Sequence, residues 1–435
     1  MSNMKDSGIT WCGQIPNNWD VMPNKYVMYK KKELCPVYNG EDILSLTMDG
    51  VIVRDLEAGG KMPATFDGYQ IVYPNNLLMC LFDYDVTPRC IGLIKNKGLT
   101  SPAYSQFVMK NGNNPNYYYY YYLMLDNTKE LLHLAKNLRH SFTEDQLGAI
   151  NTPVPPIEEQ ERIALFLDSK CAEIDSLYSD IEKQVQTLEE YKKSVITTAV
   201  TKGLNHKVEM KDSGIKWIGL VPKSWKKQRL VNLASDEKYS IVDGPFGSDM
   251  KNEEYTDEGI PIVQLTNIKQ FNHYTDELKF ITEEKSEQLK RHSAYQGDIV
   301  IAKMMPAGRA CILKNDYTRY VIAADAIRYK CSENVNNHFI LYCLNTYCMS
   351  ECEVESKGTT RVRISLDIAR RLTIFLPPYE EQNTIAAYLD RKCYELDEAI
   401  KYKKEQLNTL NEYRKSIIYE YVTGKKEVPV KWMKY

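Results

Sequence analysis

Two stretches of sequence decide the fold, PPIEEQERIALFLDSKCAEID at Pro155–Asp175 and PPYEEQNTIAAYLDRKCYELD at Pro377–Asp397. They align at an offset of 222 residues, and the same offset aligns TLEEYKKSVITTAVTKG, from Thr187, with TLNEYRKSIIYEYVTGK, from Thr409. Self-similarity of this length is the sequence signature of a duplicated architecture.

A second pair of matching stretches lies towards the N-terminus of each copy. MKDSGITWCGQIPNNW at Met4–Trp19 repeats as MKDSGIKWIGLVPKSW at Met210–Trp225, at an offset of 206 residues. The segments between the two pairs share little sequence and differ in length by sixteen residues, the difference between the offsets 222 and 206. The chain therefore consists of two tandem copies, about 4–209 and 210–435, each with a variable segment inside a repeated frame.

Each of the two longer stretches predicts a long helix. Proline pairs cannot lie inside a helix, so Pro155 and Pro377 mark the starts, and Gly203 and Gly424 mark the ends. Each helix spans about forty residues, or roughly 60 Å at 1.5 Å per residue. Apolar residues three and four apart predict a buried stripe on each helix. Its members are Ile174, Leu177, Ile181, Leu188, Tyr191 and Val195, then Leu396, Ala399, Leu410, Tyr413 and Ile417.

The two apolar stripes most simply pack on each other, and two related modules favour two-fold symmetry, which makes the helices antiparallel. The alternative is a dimerisation arm that joins two chains. The variable segments mix short β-like runs with turn signals, which is typical of compact α+β domains. The predicted fold is thus α+β, with a pseudo-two-fold internal repeat. Two globular domains (1–152 and 210–374) are joined by two long helices (153–209 and 375–435) packed as an antiparallel coiled coil.

Composition indicates an ordinary globular protein of the cytoplasm. Of 435 residues, 43% are hydrophobic and 26% are charged. No apolar run approaches the ~18 residues of a membrane span, and the N-terminus lacks a signal peptide pattern. Eleven cysteines contain no CxxC pair, so we expect buried thiols and no metal site. Residues 21–150 hold 13 basic and 13 acidic side chains, and residues 226–372 hold 21 of each, so neither segment is a basic block.

Several strings in the second variable segment are similar to those of one protein family. They are DGPFGSDM at Asp243–Met250, GIPIVQLTNI at Gly259–Ile268, GDIVIAK at Gly297–Lys303 and GTTRVRISLDI at Gly358–Ile368. Together with the doubled PPxEEQ frame, they make the whole chain resemble the specificity subunit of type I restriction–modification systems.

The first variable segment resembles a different subtype of that family's target-recognition domains. It carries LSLTMDGVIVRD at Leu44–Asp55 and GLTSPAYSQF at Gly98–Phe107, and it lacks the GPFGS loop. The two domains are therefore expected to recognise unrelated DNA sequences.

The resemblance implies a function. Each recognition domain would read one half of a bipartite, asymmetric target in double-stranded DNA, with the helices setting the spacer between the halves. Helices and DSG segments would dock two modification subunits, which methylate adenine with S-adenosylmethionine. Up to two restriction subunits would use ATP and Mg²⁺ to translocate and cleave DNA. This chain itself is expected to be no enzyme and to bind no cofactor or metal.

Base edges are read by polar and basic side chains on loops. Asn137–Ser141 and Thr359–Arg363 occupy the same repeat position, just before a helix start capped by Thr143 with Gln146, or by Ser365. These loops either contact DNA or form structural hinges with solvated cations. The predicted DNA contacts are Arg54, Ser101, Tyr104, Arg139, His140, Ser141, Lys251, Gln264, Asn267, Lys303, Arg309, Thr359, Thr360, Arg361 and Arg363.

Other constellations favour structure over chemistry. Six tyrosines at Tyr117–Tyr122 could stack on bases, but an amphipathic helix with buried faces is favoured. Asn114-Pro115-Asn116-Tyr117 lacks the second proline of an adenine methyltransferase loop, and no GxxxxGK[ST] loop occurs. The balanced charge keeps one alternative open, a scaffold whose variable domains bind proteins.

Overall fold

The computed structural model describes residues 3–58, 63–135, 140–355 and 363–429. The chain divides into two compact units. The first unit comprises residues 1–183 and 404–435, and the second comprises residues 184–403. Each unit thus contains one variable segment and a part of each long helix.

Among its described residues, the first unit contains three short helices, α1 (Asn24–Val27), α2 (Pro115–Thr128) and α3 (Glu144–Ala149). Its strands are β1 (Met4–Asp6), β2 (Gln14–Pro16), β3 (Asp20–Pro23), β4 (Met28–Lys31), β5 (Leu44–Thr47), β6 (Gly50–Val53), β7 (Gln70–Val72), β8 (Leu77–Met79), β9 (Ile91–Leu93), β10 (Gly98–Thr100), β11 (Ser105–Met109) and β12 (Asn151–Val154).

A four-stranded antiparallel sheet is the centre of the first unit. Its strand order is β4-β11-β8-β9, with Phe107 of β11 opposite Lys30 on one side and Leu77 on the other. Strand pairs β1–β2, β3–β12, β5–β6 and β7–β10 surround it. Trp19, Phe107 and helix α2 belong to one buried apolar cluster.

Helix α2 contains the tyrosine run and confirms the favoured interpretation of a buried helix. Asn114 caps it by accepting hydrogen bonds from the backbone of Asn116 and Tyr117. Five of the six tyrosines are buried, all except Tyr119. Their hydroxyls are used inside the protein, since Tyr117 donates to the Val422 carbonyl and Tyr120 donates to Asp168. Rings enclosed in this way cannot stack on bases.

The second unit contains the short helices α5 (Glu283–Gln288), α6 (Asn337–Cys343), α7 (Met349–Glu355) and α8 (Leu366–Arg371) among its described residues; the long helix that precedes it in sequence is α4 (Ile157–Lys202). Its strands are β13 (Met210–Asp212), β14 (Leu220–Pro222), β15 (Lys226–Arg229), β16 (Ile241–Asp243), β17 (Ile260–Val263), β18 (Ile268–Lys269), β19 (Asn272–His273), β20 (Lys279–Ile281), β21 (Ser293–Ala294), β22 (Ile299–Ala302), β23 (Ala310–Ile312), β24 (Tyr320–Ile322), β25 (Ala326–Tyr329) and β26 (Thr373–Leu376).

The second unit repeats the central sheet of the first. Its strand order is β16-β25-β22-β23, and Tyr329 lies opposite Ile299. These two residues follow Phe107 and Leu77, which pair in the first unit, by 222 positions. The second unit adds a sheet of order β20-β17-β24-β21. The variable segments therefore share a core sheet, although their sequences show little similarity.

The long helices begin and end where the sequence predicts. Helix α4 spans Ile157–Lys202, helix α9 spans Tyr379–Val422, and each begins directly after its proline pair. The last residue of PPxEEQ explains the start. Gln160 is fully buried, donates to the Pro155 carbonyl and accepts from the Asn114 backbone. Gln382 makes the same two contacts, with Pro377 and Asn336.

Parts of the two long helices pack antiparallel within each unit. In the first unit, Phe166 packs on Tyr421 and Asp175 pairs with Arg414, so rising numbers in α4 meet falling numbers in α9. In the second unit, Lys192 pairs with Asp397, and Ala199 lines a groove together with Tyr388. The direction is therefore the same in both units.

The buried stripe differs from the predicted one by a rotation of the helix surface. Leu177 and Tyr191 of α4 are about half exposed, at 48% and 49%, and Tyr413 of α9 is 53% exposed. Val185 and Ile400 are buried instead. Ala399, which was predicted in the stripe, is exposed. Several alternative stripes fit a helix rich in apolar and tyrosine residues, and only the packing partner selects one of them.

Candidate nucleic-acid interface

In the second unit, three loops meet at the end of central strand β22. The Ile364 backbone donates to the Lys303 carbonyl over 2.9 Å, and the Lys303 backbone donates to the Asp325 carbonyl over 2.8 Å. Met304 and Arg363 form a β-bridge next to these contacts. The structure thus brings together Lys303 and Arg363, which the sequence predicted as DNA contacts from separate motifs.

Lys303 does not offer its charge to a ligand. Its side chain is only 9% exposed, and Nζ lies 3.1 Å from Oδ2 of Asp243 and 3.3 Å from the Ala324 carbonyl. A buried ammonium needs such partners because it has lost its water. This corrects the prediction of Lys303 as a DNA contact, since the lysine instead ties the start of the GPFGS loop to the loop before β25.

Arg363 and Gln264 are better placed for a ligand. The Arg363 side chain is 50% exposed, and its Nη2 lies 2.7 Å from Oδ1 of Asp325. Gln264 is partly exposed, and its amide donates to the Tyr255 hydroxyl over 3.2 Å. An exposed guanidinium held by one carboxylate keeps further N–H donors for a phosphate or a guanine edge. Lys251, which follows the GPFGS loop, is also exposed.

Asn267 and Arg309 serve the interior. Asn267 is fully buried, accepts from the Gln264 backbone and donates to the Tyr274 carbonyl. Its prediction as a DNA contact is therefore wrong, because its amide closes a turn. Arg309 is partly buried and donates from Nη2 to the Leu265 carbonyl over 2.9 Å, and burial lowers the pKa of its guanidinium. It braces the chain around β23.

The first unit has the same arrangement at the end of β8. The Phe142 backbone donates to the Leu81 carbonyl over 2.7 Å, which is the contact of Ile364 with Lys303 shifted by 222 residues. The Tyr84 backbone donates to the His140 carbonyl, and Nδ1 of His140 lies 2.9 Å from Oδ2 of Asp85. His140 and the adjacent Ser141 therefore lie beside the loop that follows β8.

The other predicted residues of the first unit occupy two places. The Tyr104 ring stacks on Phe82 with centroids 6.1 Å apart, and its backbone donates to the Ser101 carbonyl, so both lie near the loop after β8. Arg54 follows β6 and donates from its backbone to the Ile43 carbonyl. It belongs to the β5–β6 hairpin.

Four predicted contacts lie outside the described residues, Arg139, Thr359, Thr360 and Arg361. The helix caps next to them are confirmed. Thr143 and Gln146 form a capping box at the start of α3, and Ser365 accepts from the Ile368 backbone at the start of α8.

Comparison with known proteins identifies the family. The model of the family described as "Type I restriction modification DNA specificity domain" matches residues 91–187 and 247–412. The chain belongs to this family.

Named relatives agree with this assignment. Over 283 residues the chain is 26% identical to the type I restriction enzyme MjaVIII specificity subunit of Methanocaldococcus jannaschii, covering 63% of this chain and 62% of the relative. It is 25% identical over 292 residues to the EcoBI specificity subunit of Escherichia coli, covering 64% and 59%. The match thus spans about three fifths of these relatives' length.

Solved structures show the same fold. One, from a study of complex assembly and conformational transition of the type I R-M system, matches with a TM-score of 0.65 at 16% identity, covering 95% of this chain and 99% of that one. The HsdS subunit from Thermoanaerobacter tengcongensis matches with a TM-score of 0.52 at 15% identity, covering 95% and 98%.

Sequence reasoning missed some residues of the interface of this specificity subunit. Phe246, in the GPFGS loop, is 81% exposed, and Met305, two residues after Lys303, is 68% exposed. His292 shares a hydrogen bond of 2.7 Å between Nδ1 and the Asp243 carbonyl, which places the basic run Lys290–His292 beside the same loop. The GPFGS string was visible in the sequence, but composition alone predicts that an isolated phenylalanine is buried.

Two negative observations apply to the part of the chain that the structure describes. Within 3–58, 63–135, 140–355 and 363–429, no three His, Cys, Asp or Glu side chains are grouped closely enough to hold a metal ion. Across the same ranges, no helix combines the length and apolar character needed to cross a bilayer.

Proposed function

We propose that this chain gives a type I restriction–modification complex its DNA sequence specificity and catalyses no reaction itself. The variable segment of each unit reads one half of a bipartite target in double-stranded DNA. Family membership supports the DNA-reading role. The absence of a methyltransferase or P-loop motif from the sequence supports a role without chemistry.

One observation carries the proposal of two separate readers. In each unit the same backbone hydrogen bond holds a loop against the end of a central strand, Phe142 to Leu81 in one and Ile364 to Lys303 in the other. The side chains presented there differ, with His140 in the first unit and Arg363 in the second. A common frame with different side chains favours an asymmetric target over a palindrome.

We further propose that α4 and α9 act along their whole lengths as one antiparallel coiled coil that sets the spacer. They contain 46 and 44 residues, which corresponds to roughly 65–70 Å at 1.5 Å per residue. That length can separate two readers by one helical turn of DNA, ~34 Å, or more.

The partners and cofactors follow from the duplicated frame and the family. A frame that occurs twice offers two equivalent docking sites, which fits two modification subunits carrying S-adenosylmethionine. Up to two restriction subunits would bring ATP and Mg²⁺. The readers hold equal numbers of acidic and basic residues, 13 of each in 21–150 and 21 of each in 226–372. Partner subunits therefore supply much of the attraction to phosphate.

Selection from random duplexes tests the proposal. The chain, assembled with its modification subunits, is incubated with a library of random duplexes, and the bound DNA is sequenced. We expect one enriched motif of two unlike halves separated by a fixed spacer. An unenriched pool would contradict DNA reading and favour the scaffold that binds proteins, which the balanced charge also permits.

Two variants refine the test. Replacing Arg361 and Arg363 with alanine should weaken discrimination in one half only, and equal loss in both halves would contradict separate readers. Matched insertions of one helical turn in α4 and α9 should change the preferred spacer and leave both half-sites intact. An unchanged spacer would refute the ruler.

A further inference from the structure

We propose that Phe246 is a specificity-determining residue that makes apolar contact with the bases of the half-site read by the second unit. The inference rests on the proposed function and goes beyond it by assigning base recognition to an apolar side chain on the GPFGS loop.

The exposure of Phe246 is the first observation. At 81% it is the most exposed of the large apolar side chains in the part of the chain that the structure describes. Met305, on the neighbouring loop, is 68% exposed. The bases of these two loops are joined by the ion pair of Lys303 with Asp243. Apolar groups concentrated at one place on a surface mark an interaction site more often than a single exposed residue does.

The loop that carries Phe246 is braced. A Cβ on Gly244 would lie 1.9 Å from the Ala323 carbonyl oxygen, so the loop backbone presses directly on the chain before β25. The Gly244 backbone also donates to the Ala326 carbonyl over 2.9 Å. Pro245 fixes its own φ, and Asp249 donates from its backbone to the Phe246 carbonyl. A ring presented by a braced loop loses little conformational entropy when it binds.

Beside the ring lies a groove of about 340 Å³. Its lining includes Met250 and Tyr255, together with the polar side chains of Gln264 and Thr266. The edge of a base pair offers the same mixture, with hydrogen-bonding atoms next to the thymine methyl group, and the flat base faces are apolar. The groove therefore matches a base edge better than it matches a purely apolar anchor.

Cations adjoin the groove. Exposed Lys251 follows Met250 of the lining, and Arg363 pairs with Asp325, which also lines the groove. His292 hydrogen-bonds to the Asp243 carbonyl at the start of the loop. Positive groups around an apolar contact fit a ligand with a phosphate backbone. The geometry thus favours DNA over an apolar protein segment.

The test uses the chain assembled with its modification subunits and the duplex obtained by selection. Each base pair of the second half-site is substituted in turn, and binding is measured for the wild type, for Phe246→Ala and for Phe246→Leu. We expect Phe246→Ala to weaken binding of the selected duplex at least 10-fold and to remove discrimination at one or two adjacent base pairs. Phe246→Leu should retain part of it. Binding to unrelated DNA should change less than two-fold.

Val231→Ala is the matched control, because Val231 is an exposed apolar residue of the same unit that does not line the groove. It should leave every discrimination ratio unchanged. Duplexes with uracil in place of thymine identify the atoms touched. If they reproduce the loss, the ring contacts a thymine methyl group, and if they do not, it contacts a base face; either result supports the proposal.

Three results would overturn the inference. Unchanged discrimination by Phe246→Ala removes the contact altogether. An equal loss on selected and unrelated DNA assigns the residue to the backbone, and loss of assembly with the modification subunits assigns it to a protein interface. If the wild-type complex selects no split motif, the proposed function itself fails and the inference fails with it. A selected motif with an unaffected variant refutes the inference alone.

Discussion

Arg414 donates a hydrogen bond from Nη1 to Oδ1 of Asp175 over 2.7 Å, joining α9 to α4 within the first unit. Lys192 and Asp397 make the corresponding contact within the second unit, at 2.6 Å. Asp397 follows Asp175 by 222 residues, and Arg414 follows Lys192 by the same number. Each pair takes its acid from one copy and its base from the other, which is the reciprocity that a two-fold relation between copies requires.

The first prediction concerns this ion pair. Both partners are partly exposed, so Arg414→Asp should lower the free energy of unfolding by about 0.5 kcal/mol, and Asp175→Arg by a similar amount. The double variant that exchanges the charges should regain most of the loss, because the attraction is restored. Denaturant unfolding of the four proteins measures the coupling, and strictly additive losses would contradict the pair. Asp397→Arg with Lys192→Asp provides the matched cycle in the other unit.

The second prediction concerns the end of α9. Gly424 has a φ of 68°, and a Cβ there would lie 2.4 Å from Cδ of Pro16. Gly424→Ala should destabilise the chain by about 3 kcal/mol, from the left-handed backbone and from overpacking together. Gly8→Ala is the control, since Gly8 has a φ of 67° with nothing within 4 Å, and it should lose only about 1–2 kcal/mol. Equal losses would show that the contact with Pro16 is unimportant.

The third prediction separates a positioning role for Lys303 from DNA contact. Lys303→Met keeps the buried stem but leaves the Asp243 carboxylate without its partner, and it should cost about 2 kcal/mol of stability. Asp243→Asn should be destabilising too, and the combination Lys303→Met with Asp243→Leu should cost less than the sum of its parts. Thermal unfolding measures these changes. A stable Lys303→Met protein with weaker binding to all DNA would contradict the positioning role.

The fourth prediction is a pH dependence in the second unit. The hydrogen bond from Nδ1 of His338 to Asp390 raises the pKa of the imidazole above its usual 6.5. Its stabilising contribution is therefore complete below the unfolded-state pKa of about 6.5 and is lost as the pH rises through the higher folded-state value. Because the pair is about half exposed, we expect a change of only about 0.3 kcal/mol.

His338→Asn tests this dependence directly. Asn116 holds the equivalent position in the first unit, where it donates to Asp168 over 3.0 Å. The variant should keep the hydrogen bond and lose the pH dependence between pH 6 and pH 8. Unfolding measured across that range in both proteins decides the matter, and parallel curves would mean that His338 contributes nothing.

The repeated frame was predictable because it depends on local chemistry. Proline pairs exclude helix, a glutamate-rich first turn follows each pair, and a glycine ends each long run, so the bounds of α4 and α9 follow from residue types alone. The same holds for the caps at Thr143 and Ser365, whose side chains bond within one turn of their own helix. The buried tyrosine helix was also predicted, because an unbroken apolar run favours a core position.

The interface was less predictable, because its side chains come from distant parts of the chain. Lys303 and Asn267 have the residue types of DNA contacts, yet each finds its partners across a turn or a sheet and is buried. Phe246 has the type of a core residue, yet its loop holds it in solvent. Residue type predicts what a side chain can do, and the neighbours that surround it in space decide what it does.

By itself the sequence determined two copies, two long helices with fixed ends and two variable segments, since repeats, helix breakers and caps act over a few residues. Only the tertiary structure revealed that the variable segments share one sheet, with Phe107 opposite Leu77 and Tyr329 opposite Ile299. Strand pairing depends on backbone hydrogen bonds, which many side chains allow, so the topology was retained while sequence similarity was lost. Tertiary packing likewise selected the buried stripe of the helices and chose Arg363 and Phe246, instead of Lys303 and Asn267, to face solvent, because burial is a property of the assembled neighbours.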